Sequence, residues 1–129
     1  MAEGEKATLY HLGDICRENR DSYEVTEPPK HGSIPKISDA PSWTCQALVT
    51  TNPSSTLSAA QRLRSMIHFV LVRLERQKAD ILVHINVPYA ELERSGDPNA
   101  LPREEGFALE VLNRMKQTLE ILDYGLFGT

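Results

Sequence analysis

The sequence is poor in features that would place the protein in a specialised class. Its two cysteines, Cys16 and Cys45, are too few for a disulfide framework. No apolar run approaches the roughly 18 residues of a membrane span, and the first residues, MAEGEKATLY, lack the basic and apolar regions of a secretion signal. Basic residues are outnumbered by acidic ones, 14 against 18, and the net charge of −4 argues against non-specific binding to nucleic acid or anionic membranes. We therefore expect free thiols, a cytosolic or nuclear location and a mild preference for a basic partner.

What is present is typical of one soluble globular domain covering residues 1–129, with 40% hydrophobic and 25% charged residues. Residues 8–18, TLYHLGDICRE, place apolar side chains three to four positions apart and predict a short helix. Residues 19–41 contain four prolines and one glycine and show no periodicity. Because proline removes backbone donors, this segment predicts a long loop.

Three strands and a second helix are predicted in the rest of the chain. Residues 42–51 and 65–75 alternate in the manner of strands, and residues 79–88 return as a third strand after a short polar turn. So short a turn requires antiparallel pairing. A helix is predicted from Pro102, with a buried stripe of Phe107, Val111, Leu112, Met115 and Leu119, followed by an extended ending. The fold class is therefore α+β, an antiparallel β-sheet flanked by helices.

The residue types that carry catalysis or metal binding are present but are not arranged for it. The histidines at positions 11, 31, 68 and 84 have no metal-ligand spacing, and there is no CxxC pair. There is no GxSxG nucleophile motif and no glycine-rich phosphate loop. Glu104 and Glu105 are expected in the first turn of the last helix, where carboxylates complement the helix dipole. We expect no catalytic, cofactor-binding or metal-binding residues, and a protein that is not an enzyme.

Two polar residues interrupt the third predicted strand, ADILVHINVP. His84 and Asn86 share a face with Leu82, because side chains alternate along a strand. We expect both to contact polar groups of a covering loop or helix. Their predicted role is structural.

Three segments in order resemble one known family. They are LYHLGDICREN at 9–19, FVLVRLERQKADILVHINVP at 69–88, and FALEVLNRMKQTLEILDYGLFG at 107–128. The middle segment contains VRL, KAD and INVP in the family's order, and the last ends in Asp123 followed by LFG. The sequence is similar to the Ran guanine nucleotide release factors of nuclear transport, the Mog type.

The resemblance implies a PsbP-like α/β/α sandwich that binds the small GTPase Ran, promotes release of its guanine nucleotide and supports protein import into the nucleus. It implies a location in the nucleus and cytoplasm, no cofactor, and no partner among nucleic acids or membranes. The candidate partner-binding residues are acidic: Asp14 and Glu18 on the first helix, and Asp21, Glu24 and Glu27 in the predicted loop.

The sequence departs from the family pattern at its start. Family members carry an additional N-terminal segment, including an "SIIVELLE"-like strand, that is not seen here. We therefore expect an N-terminally incomplete domain without its initial strands, and self-association through an exposed sheet edge. The alternative function is a truncated fold remnant with a structural or self-associating role and no Ran activity.

Overall fold

The computed structural model of the protein describes residues 3–18, 21–50 and 64–122, without the side chains of residues 38 and 39. The helices and strands in these ranges are α1 (Glu3–Glu18), β1 (Ser22–Ile34), β2 (Ile37–Thr50), β3 (Arg64–Leu74), β4 (Ala79–Pro88), α2 (Tyr89–Arg94) and α3 (Ala100–Thr118). The predicted α+β class is confirmed. None of the described helices is long and apolar enough to cross a membrane.

Every strand of the sheet pairs antiparallel with its neighbour in sequence, in the order β1-β2-β3-β4. The β3–β4 ladder continues without a register shift from Ser65 opposite Pro88 to Leu74 opposite Ala79. The predicted antiparallel return is therefore confirmed. Its turn is closed by a hydrogen bond of 3.2 Å from the Lys78 N–H to the carbonyl of Glu75, and Lys78 takes a φ of 52° that few non-glycine residues adopt.

The predicted loop at 19–41 is wrong over most of its length. Residues 22–34 form β1 and residues 37–50 form β2, so the segment is an antiparallel hairpin with its turn at Pro35 and Lys36. Residues 19 and 20 lie outside the described ranges. An irregular loop of this length would have been unusual in a compact domain. The segment instead forms part of the sheet.

The prolines of this hairpin are tolerated because of their positions. Pro28 and Pro29 lie where the β1–β2 register shifts, between Glu27 and Lys30, and β1 is an edge strand of the described sheet. Proline is compatible with an edge or a bulge, where its missing N–H interrupts no regular ladder. Pro41 lies opposite Ser33 of β1 and just before the first residue of β2 that pairs with β3, so its missing donor takes nothing from the β2–β3 ladder.

Helix α1 covers one face of the sheet. The predicted helix at 8–18 is confirmed, and it starts earlier, at Glu3. Its buried side packs into a cluster with β2 and β3 that contains Leu12, Cys16, Trp43, Cys45, Ala47, Val49, Ile67, Phe69 and Leu71. At its N-terminal end Gly4 lies directly against the indole of Trp43. Because Gly4 has no side chain, the first turn of α1 lies directly against the sheet.

Helices α2 and α3 lie on the opposite face, over β3 and β4. Leu112 is buried in a cluster with Val70 and Val72, and Met115 and Leu119 pack against it. The other two members of the predicted stripe are placed wrongly: Phe107 is 55% exposed and Val111 is 56% exposed.

The buried face of α3 is rotated by one position from the predicted stripe. It follows Leu101, Ala108 and Leu112, a spacing of seven and then four residues that keeps one side of a helix on the core. Because the side chain of Ala108 is small, α3 lies close to β4 at this residue. Phe107 and Val111 then lie at the side of the helix–strand contact and not within it. Leu119 ends the helix in an extended conformation, as predicted. The predicted extended segment beyond residue 122 lies outside the described residues.

Candidate functional site

Three of the predicted partner-binding residues gather at the C-terminal end of α1. Asp14 and Glu18 are four positions apart and so share one side of the helix. Asp21 lies three positions beyond Glu18, held by a hydrogen bond of 2.8 Å from its backbone N–H to the carbonyl of Cys16. Arg17 lies among them, with its Nη2 3.6 Å from Asp14 Oδ1. We call Asp14, Glu18 and Asp21 the acidic patch.

The other two predicted residues are not part of this patch. Glu24 lies opposite Leu48 in the β1–β2 ladder. Leu48 packs with Met66 and Val87 on the side of the sheet that α2 and α3 cover. Because Glu27 follows after a register shift and lies opposite Gln46, it falls on the same side as Glu24. The five candidates therefore divide between the two faces of the sheet.

A charged cluster, which the sequence did not predict, joins α1 to the β3–β4 hairpin. Asp80 accepts hydrogen bonds from Arg73 Nε at 3.1 Å and from Arg73 Nη2 at 3.3 Å, and its Oδ2 lies 3.0 Å from His11 Nε2. Burial raises the pKa of Asp80, but the hydrogen bonds to Arg73 and His11 together outweigh it and hold that pKa below its usual value. Arg73 and Asp80 face each other in the hairpin register, so turn geometry could have identified this pair. The contact with His11 depends on the tertiary fold.

A second polar cluster is buried beneath α2 and α3. His68 is fully buried on β3, and its Nε2 lies 2.7 Å from Glu105 Oε2 on α3. Neither His68 Nδ1 nor Glu105 Oε1 has a hydrogen-bond partner among the described residues. Burial and then the neighbouring carboxylate of Glu105 raise the pKa of Tyr89 to about 12. The cluster thus connects a strand to both helices above it.

The helix-dipole role predicted for Glu104 and Glu105 is wrong. Helix α3 starts at Ala100, two residues before Pro102, and its first turn contains no acidic residue. The earlier start moves both carboxylates out of the first turn. Glu105 instead contacts His68, and Glu104 faces a surface groove.

His68 and His84 do not form a pair, although they lie on neighbouring strands. His68 is opposite Ile85, whereas His84 is opposite Phe69, so the two rings project to different faces of the sheet. His84 stacks on Phe69 with ring centroids 6.5 Å apart and planes at 16°. Both His84 and Asn86 are exposed, and no described loop or helix covers them. That part of the prediction is wrong because α1 packs over β2 and β3 and contacts β4 at Asp80, near the other end of that strand.

The described side chains are not arranged for nucleophilic or metal chemistry. Burial raises the pKa of Cys45 to about 11, and burial together with Asp21 raises the pKa of Cys16. Both thiols are therefore protonated at neutral pH, and the thiolate is the reactive form. Within the described ranges, no three side chains of His, Cys, Asp or Glu are grouped as metal ligands.

The architecture defines an α+β protein in which an antiparallel sheet lies between helices, with an acidic patch at the C-terminal end of α1. The family model described as Ran-interacting Mog1 protein matches residues 1–88, which include α1 and all four strands. Because the match covers more than half of the 129 residues, the chain belongs to the Mog1 family of Ran-interacting proteins. No curated protein and no solved structure gives a significant match.

The family match confirms the resemblance found in the sequence. Two of the three similar segments, at 9–19 and 69–88, lie inside the matched residues. The third, at 107–128, lies outside them. The family match supports the coarse functional expectation, interaction with Ran.

Proposed function

We propose that the protein binds the small GTPase Ran, promotes release of its guanine nucleotide and supports protein import into the nucleus, acting in the nucleus and cytoplasm. The observation that carries this proposal is the match to the Ran-interacting Mog1 family over residues 1–88. The acidic patch is the surface that we assign to Ran.

The position of the acidic patch supports its role in binding. The C-terminal end of a helix carries a partial negative charge, and a carboxylate there is destabilising by about 0.3–1 kcal/mol. Glu18 is the last residue of α1, and Asp21 lies just beyond it. The negative charges of these two residues are repelled by the negative end of the helix dipole, so they do not stabilise the helix. A basic surface on a partner would relieve this repulsion, so binding energy is available there.

The mechanism we propose is differential affinity. A release factor that binds the nucleotide-free GTPase more tightly than the loaded form lowers the affinity for nucleotide by the same factor. This requires surface contacts and no covalent step. It is consistent with protonated thiols at Cys16 and Cys45 and with His11 and His68 already engaged by carboxylates. We accordingly propose that the protein is not an enzyme that transforms a substrate with its own side chains.

The test is the release of a fluorescent guanine nucleotide from Ran, together with a pull-down. We expect the protein to bind Ran and to accelerate release. Glu18→Lys reverses one charge of the acidic patch and is expected to weaken both effects. Glu24→Lys makes the same charge change on the opposite face of the sheet and is the matched control.

Two results would reject the proposal at different levels. If a folded sample shows no binding to Ran at about tens of micromolar, the Ran function is lost altogether and the fold-remnant alternative is favoured. If Glu24→Lys weakens binding and Glu18→Lys does not, Ran binding stands but the surface is the opposite face of the sheet.

A further inference from the structure

The outer edge of β4 is open in the part of the chain that the structure describes. β4 pairs only with β3, so alternate backbone N–H and C=O groups of β4 point away from the sheet. The opposite edge, β1, is irregular, with register shifts around Pro28 and Pro29. Such irregularities block the addition of another strand. Of the two edges, β4 is the one suited to accept an extended chain.

An apolar groove lies beside this edge. Ile85 and Val87 of β4 form one wall, and Phe107, Ala108 and Val111 of α3 form the other, around a volume of about 270 Å³. Phe107 and Val111 keep more than half of their surface exposed. An open strand edge supplies backbone hydrogen bonds, and a neighbouring apolar groove receives every second side chain of an added strand. The groove and the edge together are therefore complementary to an extended peptide.

The charge of the groove indicates the chemistry of that peptide. Among the described residues that line it, Glu104 alone is charged. Ala108 of α3 packs with Val87, and Leu112 packs further along β4, so Glu104, which precedes them, lies toward the Pro88 end. A lysine or arginine at the corresponding end of the peptide would pair with this carboxylate. A second copy of β4 fits less well. β4 contains no lysine or arginine that could pair with Glu104 of another copy.

We propose that the β4 edge and its groove bind an extended peptide segment of a partner, with apolar residues at alternate positions and a basic residue beside Glu104. The site is separate from the acidic patch, since α1 and α3 lie on opposite faces of the sheet. It therefore goes beyond the proposed Ran function and does not depend on it. The edge and groove act as a second docking surface. This surface recognises the backbone of the peptide and the alternation of its apolar and polar residues more than one fixed sequence.

The experiment uses the whole chain and a fluorescent peptide of about eight residues, with lysine first and valine alternating with serine thereafter. Fluorescence anisotropy measures affinity, and amide chemical shifts locate the bound peptide. We expect shift changes along β4 and the facing side of α3, and none along α1. A peptide of the same length, with proline at two positions whose N–H groups would face β4, lacks two of the backbone donors and is expected to bind at least about tenfold more weakly.

Matched variants on one helix test the groove itself. Phe107→Glu places a charge in the groove and is expected to weaken binding about tenfold or more. Leu109→Glu is the control, because Leu109 is 48% exposed on the same helix but does not line the groove. Glu104→Lys is expected to weaken binding of the lysine peptide and to favour a peptide with glutamate in its place.

Each remaining outcome decides against the proposal. No binding of any of these peptides overturns it, and so does equal weakening by Phe107→Glu and Leu109→Glu. Shift changes confined to α1 would assign the peptide to the other face. Concentration-dependent dimerisation that Phe107→Glu abolishes, seen by analytical ultracentrifugation, would identify a second copy as the occupant and support the self-association expected from an open edge.

Discussion

Gly4 and Trp43 pack so closely that the start of α1 has no space for a side chain facing the sheet. A Cβ atom built on Gly4 would overlap the indole ring, which is itself mostly buried. The contact fixes the height of the helix above β2. It therefore also determines how deeply the side chains further along α1, such as Leu12, enter the core.

Gly4→Ala is expected to destabilise the protein, because the indole or the helix must shift to admit a methyl group. The expected cost is about 1–3 kcal/mol in the free energy of unfolding, measured by urea denaturation. Gly106→Ala is the control. Nothing lies within 4 Å of a Cβ at Gly106 on α3, so alanine there is expected to stabilise the protein by up to about 1 kcal/mol. Equal effects of the two substitutions would show that the contact with Trp43 does not limit packing.

Asp80 is expected to make stability depend on pH. Its folded-state pKa is lowered, so its contribution is complete above its unfolded pKa of about 3.9 and is lost as pH falls through the folded value. Asp80→Asn should lower the urea midpoint of unfolding at neutral pH. It should also make the midpoint fall less steeply than in the wild type as the pH is lowered into the acid range. Glu110→Gln, which removes an exposed carboxylate 3.1 Å from Arg114, should leave the decline almost unchanged. A decline that is identical in wild type and Asp80→Asn would exclude this carboxylate as its source.

His68 and Glu105 are expected to be coupled energetically. His68→Leu leaves Glu105 without its partner beneath α3 and should cost about 1–3 kcal/mol. The double variant His68→Leu with Glu105→Leu should lose less than the sum of the single losses, because it removes both polar groups together. Simple additivity in this double-mutant cycle would mean that the contact of 2.7 Å contributes nothing beyond its separate groups.

Glu18→Lys is expected to change protein stability and Ran binding in opposite directions. Lysine in the last turn of α1 complements the helix dipole and should stabilise the protein by about 0.3–1 kcal/mol, while Ran binding weakens. Thermal unfolding and the pull-down are measured on the same sample. A variant that is less stable than the wild type would contradict the electrostatic account of the acidic patch.

The sequence predicted best the elements that local pattern alone decides. β3 and β4 are apolar runs around a short turn, and the antiparallel pairing of such a hairpin follows from chain geometry. Local sequence does not predict β1, because Pro28 and Pro29 argue against a strand, whereas an edge strand with a register shift accepts them. That distinction depends on which strand lies outermost, and local sequence does not contain it.

The site was predicted only in part, for a related reason. Nearness in sequence placed Asp21 and Glu24 in one acidic group, but the strand that starts between them turns their side chains to different faces. The α3 groove was missed because Phe107 and Val111 match a helical stripe as well as the residues that are buried. Periodicity alone does not distinguish two helix faces that differ by one residue position. The side chains of the sheet beneath α3 determine which of these faces is buried.

The neighbour-to-neighbour order of the strands has a consequence for how the chain acquires its structure. Each strand after β1 can join the sheet as soon as it leaves the ribosome, since the strand it pairs with has already been made. The core beneath α1 consists mainly of β2 and β3, with Val25 of β1 packed against it, whereas α3 closes the other side last. We expect pulse-labelled hydrogen exchange during refolding to protect β2 and β3 before α3, so that maturation proceeds in the direction of translation.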